Sequence, residues 1–267
     1  MQQQKIDDLK QRLKKLDSVM IAFSGGVDST FLLAVASGMD DIDVRAVTAS
    51  NPMIPDREVK QARRLAGRFK VRHSIIRTDP LGDPSLKANP EDRCYICKKK
   101  IFISFLELAR EKGCRYVADG TNYDDLKQYR PGLKALQELG IESPLARAGL
   151  TKEEIRIYSR EMGLPTWDLP ALSCLATRIP CGEELTEVKL RMIDESEDYL
   201  RKLGFRQLRV RYHYPIARIE LDSQEMPRIF EAGIRERAAA RLKAIGFDYI
   251  AIDIEGYRTG SMDGRKD

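Results

Sequence analysis

Histidine is scarce in this chain, with only His73 and His213, which argues against a histidine-rich metal centre. No run of about 18 apolar residues occurs, so no segment reads as a membrane-spanning helix. Internal repeats and low-complexity tracts are missing as well, which argues against a repeat architecture. The opening MQQQKIDDLKQRLKKL patterns as a polar amphipathic helix rather than a signal peptide, and the expected location is the cytoplasm. A broad basic stripe is also lacking. Lys and Arg number 46 against 41 Asp and Glu, a formal charge of +5, a mild excess that suits an anionic substrate and does not call for nucleic acid. A solvated surface accounts for that charge equally well. The five cysteines are odd in number, which speaks against a disulfide framework and for metal or sulfur chemistry.

What is present is a 267-residue chain, 42% hydrophobic and 33% charged, enough for one large or two modest globular domains. The first half alternates short β-branched runs with longer helical patterns, the signature of a parallel sheet covered by helices on both faces. Strands are expected at 19–23, 44–49, 71–77 and 116–118, and helices at 29–37, 55–69 and 101–112. From 144 to 182 the pattern loosens into proline-bearing loops around one helix, 152–161. Beyond it, a helix (185–203), strands (207–212, 216–221), a broadly helical stretch (224–245) and a last strand (249–254) suggest a small α+β domain. The expectation is therefore an α/β domain over 1–150, a connecting helix and active-site loop over 151–184, and an α+β domain over 185–267.

The most specific short stretch is IAFSGGVDSTF. A strand that runs into Ser24-Gly25-Gly26 and then a helix exposes backbone N–H groups at the helix N-terminus, where the dipole favours an anion. Phosphate is the natural guest, because Gly25 and Gly26 let the backbone approach it and Ser24 and Ser29 add hydroxyls. The G-x-x-x-x-G-K-[ST] pattern is absent, since no lysine follows the second glycine. Asp28 would repel phosphate unless a cation stood between them, so the loop implies Mg²⁺ bridging to ATP. An ordinary Gly-rich turn with Asp28 in the first helical turn is the plainer alternative. Gly120 and Thr121, at the carboxyl end of a parallel strand, are candidates for lining the nucleotide; a strand-ending turn is their plainer role.

S-G-G-x-D-S resembles the pyrophosphatase loop (PP-loop) of N-type ATP enzymes, which split ATP into AMP and pyrophosphate while adenylylating an oxygen. Further segments choose among those enzymes: RCYICKKKIF (93–102), DGTNYDDLKQYRPGLKA (119–135), SPL (143–145), GLPTWDLPALSCLATRIPCGEELT (163–186), LRVRYHYPIARIEL (208–221) and GYRTGSMD (256–263). Together they resemble LarE, nearly end to end. That family comprises ATP-dependent sulfur transferases that make the nickel-pincer nucleotide cofactor of lactate racemase. The resemblance implies adenylylation of a carboxylate of pyridinium-3,5-biscarboxylic acid mononucleotide, followed by replacement of the activated oxygen with sulfur from a sulfide donor. It also implies a homo-oligomer.

Arg209 and Arg211 sit two apart on an expected strand, hence on one face, where bidentate phosphate contacts are easy to make. Arg178, beside Thr177, can close the same site from a loop. By resemblance these four match the family's phosphate-binding positions, although alternating arginines on a strand also occur as plain solvent charge. Glu197 and Glu220 align with acidic active-site positions, though Glu197 lies in a charged helix for which solvent exposure is the default expectation.

By resemblance Cys174 matches a cysteine that one branch of LarE sacrifices as the sulfur donor. Cys94 and Cys97 depart from that branch, and a C-x-x-C ahead of a distant third cysteine is similar to the other, in which three thiolates hold a [4Fe–4S] cluster with one open iron. A zinc or redox C-x-x-C, or simple buried thiols, are the alternatives. Cys181 is a spare thiol near the site, and Cys114 is expected in the core. A tRNA-thiolating PP-loop enzyme and a non-catalytic ATP-binding protein are the competing functional readings.

Overall fold

The apolar runs of the first half are parallel strands that send alternate residues into two separate cores. A computed structural model describes residues 2–127, 130–258, 261 and 262, so Thr259, Gly260 and Asp263 of the GYRTGSMD segment and Gln128 and Tyr129 of the 119–135 segment lie outside the described residues. The chain divides into two units, Met1–Thr78 with Asp92–Leu172, and Asp79–Glu91 with Ser173–Asp267.

In chain order the elements of the first unit begin α1 (Gln2–Leu16), β1 (Ser18–Ala22), α2 (Val27–Ser37), β2 (Asp43–Ser50), α3 (Asp56–Arg68) and β3 (Arg72–Arg77). After an excursion carrying α4 (Pro84–Lys87), which belongs to the second unit, follow α5 (Arg93–Glu111), β4 (Tyr116–Ala118), α6 (Pro131–Glu138), α7 (Pro144–Arg147) and α8 (Lys152–Glu161). The four strands are parallel in the order β3-β2-β1-β4. Val19 and Ile21 face a core with Leu9 and Leu13 of α1, Phe31 of α2, Leu65 of α3 and Ile155 of α8. Met20, between them, faces the other core, with Phe102 and Phe105 of α5 and Leu136 of α6. The two-residue period of a strand thus explains why helices cover both faces.

The strand at 116–118 and the helix at 152–161 coincide with expectation. Helix α5 begins eight residues before the expected 101, at Arg93, so the C-x-x-C lies on a helix. The lysine run at 98–100 hides that turn from an apolar-period reading. It is fixed from outside, by Glu138, whose Oε2 accepts from Tyr95 Oη and Lys99 Nζ at 2.7 Å each. Helix α6, which carries Glu138, is likewise absent from the sequence-based expectation.

The second unit continues with α9 (Glu187–Lys202), β5 (Leu208–His213), β6 (Ile216–Leu221), α10 (Ile234–Ile245) and β7 (Tyr249–Ile252). Its sheet has the order β5-β6-β7, with β5 and β6 antiparallel and β6 and β7 parallel. The expected helix over 224–245 is broken into a 3₁₀ turn, Met226–Phe230, and α10. Pro227 starts that turn, and Gly233, at φ 80°, reverses the chain before α10. Among the described residues no helix is long and apolar enough to cross a membrane.

Leu13 of α1 is fully buried, so the N-terminal helix is part of the core. Leu13→Ala should cost about 2–5 kcal/mol, read as a lowered urea midpoint with an unchanged m-value; a midpoint equal to wild type would show that α1 packs too loosely to matter.

Candidate active site

The loop after β1 is held open by contacts that only glycine permits. Gly25 has φ 72°, and a Cβ there would lie 3.2 Å from the backbone nitrogen of Ala62 in α3. Gln61 Nε2 donates to the Gly25 carbonyl at 3.0 Å, which fixes the turn against α3. Gly26 occupies the N-cap of α2 and gives it no side-chain cap, a helix start whose first-turn N–H groups suit an anion. Ser24 and Ser29 bring their hydroxyls within 3.1 Å of each other. Gly120 meets the loop from the end of β4: a Cβ there would lie 2.9 Å from the Ser29 nitrogen, so only glycine allows this approach. Thr121 is buried, and its hydroxyl donates to Asp119, whose other oxygen accepts from Ser143 Oγ at 2.7 Å.

Asp28, in the first turn of α2, has two partners that sequence reasoning missed. Lys152 Nζ forms an ion pair with Oδ2 at 2.5 Å, and Asn122 Nδ2 donates to Oδ1 at 3.3 Å. Lys152 is placed by the start of α8, where Thr151 and Glu154 form a capping box. The T-K-E-E pattern signals that helix start but carries no hint of the ion pair. Asn122 is fixed because its Oδ1 accepts from the Asp124 and Asp125 backbone N–H groups at 2.9 and 3.1 Å. Burial pushes the Asp125 carboxyl up, against the backbone hydrogen bond at Asn122 and the Arg130 charge. A carboxylate beside two hydroxyls and an anion-binding turn is a donor set that suits Mg²⁺ once phosphate oxygens arrive; Lys152 supplies the positive charge at Asp28 in this structure.

In the second unit Arg178, Arg209, Arg211, Glu197 and Glu220 are all buried. Glu197 departs from its expected exposure: it is 0% exposed, because α9 turns this residue inward, toward β5 and the 3₁₀ turn Leu175–Arg178. Arg178 grips it with Nε at 2.9 Å and Nη2 at 3.2 Å, Arg201 donates at 2.9 Å, and the Val210 N–H at 3.2 Å. Burial alone would raise the Glu197 carboxyl, but the Arg178 charge and hydrogen bonds outweigh it and hold the group well below the usual carboxylate range. Burial, and then repulsion from Arg178, lower the Arg209 guanidinium to about 10, against the attraction of Glu197. Arg211 reaches Glu220 Oε2 at 2.6 Å and the Thr177 carbonyl at 3.0 Å. Arg218 adds a contact with Glu220 at 3.4 Å. Among the described residues guanidiniums outnumber carboxylates in this lattice even with Asp253, which pairs with Arg218, an arrangement suited to a further anion.

Asn89 is a third residue that sequence reasoning missed. It is fully buried at φ 55°, a conformation that asparagine tolerates. Its Nδ2 donates to the Pro180 carbonyl at 2.7 Å, and its own carbonyl accepts from the Gly182 N–H at 2.8 Å. It therefore pins the loop that carries Cys174, Thr177 and Arg178.

All five cysteines are thiols. Cys94 and Cys97 are three residues apart near the start of α5, hence neighbours on one helix face, and Arg93 Nη2 approaches Cys94 Sγ at 3.9 Å. Cys174, in the second unit, precedes the 3₁₀ turn, and its carbonyl accepts from Thr177 Oγ1 at 2.9 Å and Arg178 Nη1 at 2.8 Å. Cys181 is exposed; Cys114 is buried, and burial pushes its thiol up. Thiolates are the donors that iron–sulfur clusters take, yet among the described residues no three His, Cys, Asp or Glu side chains are gathered as a metal centre requires. Within the first unit the arrangement supplies a thiol pair.

Comparison with known proteins bears on both units. The asparagine synthase family model matches residues 6–84, which include the glycine loop. Argininosuccinate synthase of Natronomonas pharaonis is 29% identical over 55% of this chain and 39% of its own. An uncharacterized protein of Synechocystis is 39% identical over 98% of both chains. The pyridinium-3,5-bisthiocarboxylic acid mononucleotide synthase of Lactiplantibacillus plantarum is 36% identical over 94% of this chain and 91% of its own. With that identity over 94% of its length, the chain belongs to the LarE family of ATP-dependent sulfurtransferases, built on a PP-loop domain.

Proposed function

We propose that the protein adenylylates a carboxylate of pyridinium-3,5-biscarboxylic acid mononucleotide with ATP and exchanges the activated oxygen for sulfur, giving a thiocarboxylate for nickel-pincer nucleotide synthesis. The observation that carries this reading is the burial of Arg209 and Arg211 side by side on β5. Dry guanidiniums in excess over carboxylates suit a substrate that carries both a phosphate and carboxylates. Acyl-adenylate formation asks for charge neutralisation and alignment more than for an acid or a base. Ser24, Gly25, Gly26 and Ser29 would receive the ATP phosphates, with Gly120 and Thr121 beside the nucleotide. Asp28 would hold Mg²⁺, with Lys152 released toward the phosphates as it leaves the carboxylate. Thr177, Arg178, Arg209 and Arg211 would bind the mononucleotide, and Glu197 and Glu220 would hold those arginines in place. The same reading makes the protein a cytoplasmic homo-oligomer.

For the sulfur, we assign Cys94, Cys97 and Cys174 as ligands of a [4Fe–4S] cluster, supported by the thiol pair on one turn of α5. When bound, such a cluster offers an open iron for hydrosulfide. A second reading is favoured by a different observation: the Cys174 carbonyl is held by Thr177 and Arg178, so its thiol lies on the turn that carries two of the anion-binding residues. There Cys174 itself would give up its sulfur, leaving dehydroalanine. The alternative of tRNA thiolation finds less support in a charge of +5; strongly salt-dependent binding of tRNA would favour it.

Asp28→Asn should lower pyrophosphate release by about a hundredfold or more while leaving the melting temperature near wild type, since Asp28 is only half-buried. Unchanged release at saturating Mg²⁺ removes Asp28 from phosphate handling.

Arg211→Ala should raise KM for the mononucleotide by about ten- to a hundredfold, the loss of a charge-assisted contact, with KM for ATP little changed. Equal effects on both substrates would contradict separate binding roles.

The two sulfur readings part on chemistry. With a cluster, Cys94→Ala, Cys97→Ala and Cys174→Ala should each lose most of the iron of the anaerobically purified protein and all multiple turnover with sulfide, and should retain adenylylation. With sacrifice, only Cys174→Ala should fail, and mass spectrometry of the wild-type peptide after reaction should show loss of hydrogen sulfide at Cys174.

A further inference from the structure

Tyr257, Ser261 and Met262 belong to a sequence motif without an assigned role, and in the second unit these three residues contact the arginine lattice. Gly256 has φ 69°, and a Cβ there would lie 2.7 Å from the Leu221 carbonyl oxygen at the end of β6, so only glycine lets the chain cross at this point. The crossing is fastened by the Tyr257 N–H, which donates to that carbonyl at 2.8 Å. Four contacts follow. The Tyr257 ring lies 5.0 Å from the Arg209 guanidinium, a cation–π contact that orients it. The Ser261 hydroxyl accepts from Arg211 Nη2 at 2.9 Å and donates to Glu220 Oε1 at 2.8 Å. Met262 continues over the lattice, its sulfur accepting from Arg218 Nη2 at 3.4 Å.

Arg211 is not fully satisfied by these partners. It is 5% exposed, and its Nε–H is buried with no hydrogen-bond partner among the described residues. A buried donor on a guanidinium costs free energy unless a ligand meets it. Ser261, by contrast, has a hydroxyl that can turn. It can swing its proton away from Glu220, which keeps Arg211 and Arg218 as partners.

Resting on the reading that this lattice binds the substrate phosphate, we propose that Ser261 is a direct ligand of that phosphate. Its hydroxyl, together with the unpartnered Nε–H of Arg211, completes the oxyanion's donors. Tyr257 is a positioning residue that acts through Arg209. Tyr257 and Ser261 are then phosphate-recognition residues supplied from beyond β7, and they make the site selective for the nucleotide over its dephosphorylated nucleoside.

The test is equilibrium binding of pyridinium-3,5-biscarboxylic acid mononucleotide and of the corresponding nucleoside to the full-length protein, wild type beside Ser261→Ala and Ser261→Thr. Wild type should prefer the nucleotide. Ser261→Ala should weaken nucleotide binding roughly tenfold and leave the nucleoside unchanged, and Ser261→Thr, which keeps the hydroxyl, should restore the preference. Equal weakening of both ligands in Ser261→Ala, or no weakening, overturns the assignment of Ser261. Wild-type protein that binds both ligands equally instead overturns the phosphate reading of the lattice, whatever Ser261 does.

Discussion

A guanidinium taken out of water must find an anion, and the second unit is organised around that requirement. Glu197 answers it for Arg178 and Arg201 at once, with two oxygens that accept from both guanidiniums and from the Val210 N–H. Such a carboxylate is worth little as a simple stabiliser, because the desolvation of both partners offsets most of their attraction. Its value is geometric. Arg178 is committed on one edge to α9 and on the other to the carbonyls of Ser173 and Cys174, so one buried charge pair sets the conformation of the loop that bears Cys174. Glu220 does the same for Arg211 and Arg218 from β6.

The first unit solves the opposite problem, keeping polar groups available rather than satisfied. Its glycine loop is shaped by backbone contacts with α3 and β4 that leave no room for side chains. The first-turn N–H groups of α2 are thereby preorganised by packing, while the Ser24 and Gly26 N–H groups lean on the Ser29 and Ser24 hydroxyls at 3.3 Å each. Asp28 is the exception, since it is held by Lys152 and Asn122. A carboxylate already matched with a cation presents less repulsion to an incoming polyphosphate than a bare one.

Much of this was legible in the sequence, and the exceptions share a cause. The parallel sheet, its two-sided helical cover and the glycine loop follow from local period and turn chemistry, which a single stretch displays by itself. The family resemblance extended that reading to Arg209 and Arg211. What stayed hidden depends on residues far away in the chain: the start of α5 relies on Glu138, the Asp28 pair on a lysine 124 positions later, and the loop after Ser173 on Asn89. Glu197 misled for the same reason. Its helix is charged enough to read as a solvated face, and only the arginines it meets in space explain its burial.

Asn89 also bears on how this protein can be divided. The chain leaves the first unit after Thr78, contributes thirteen residues to the second, and re-enters the first at Asp92. Neither unit is therefore a continuous stretch, and no single cut in the polypeptide separates them into complete halves. A fragment ending at Leu172 would carry Lys87 and Asn89 stripped of the loop to which they are hydrogen-bonded. The excursion works as a stitch: swapping the C-terminal part for that of another PP-loop protein would require a matching change near residue 85, so the two units are bound to change together.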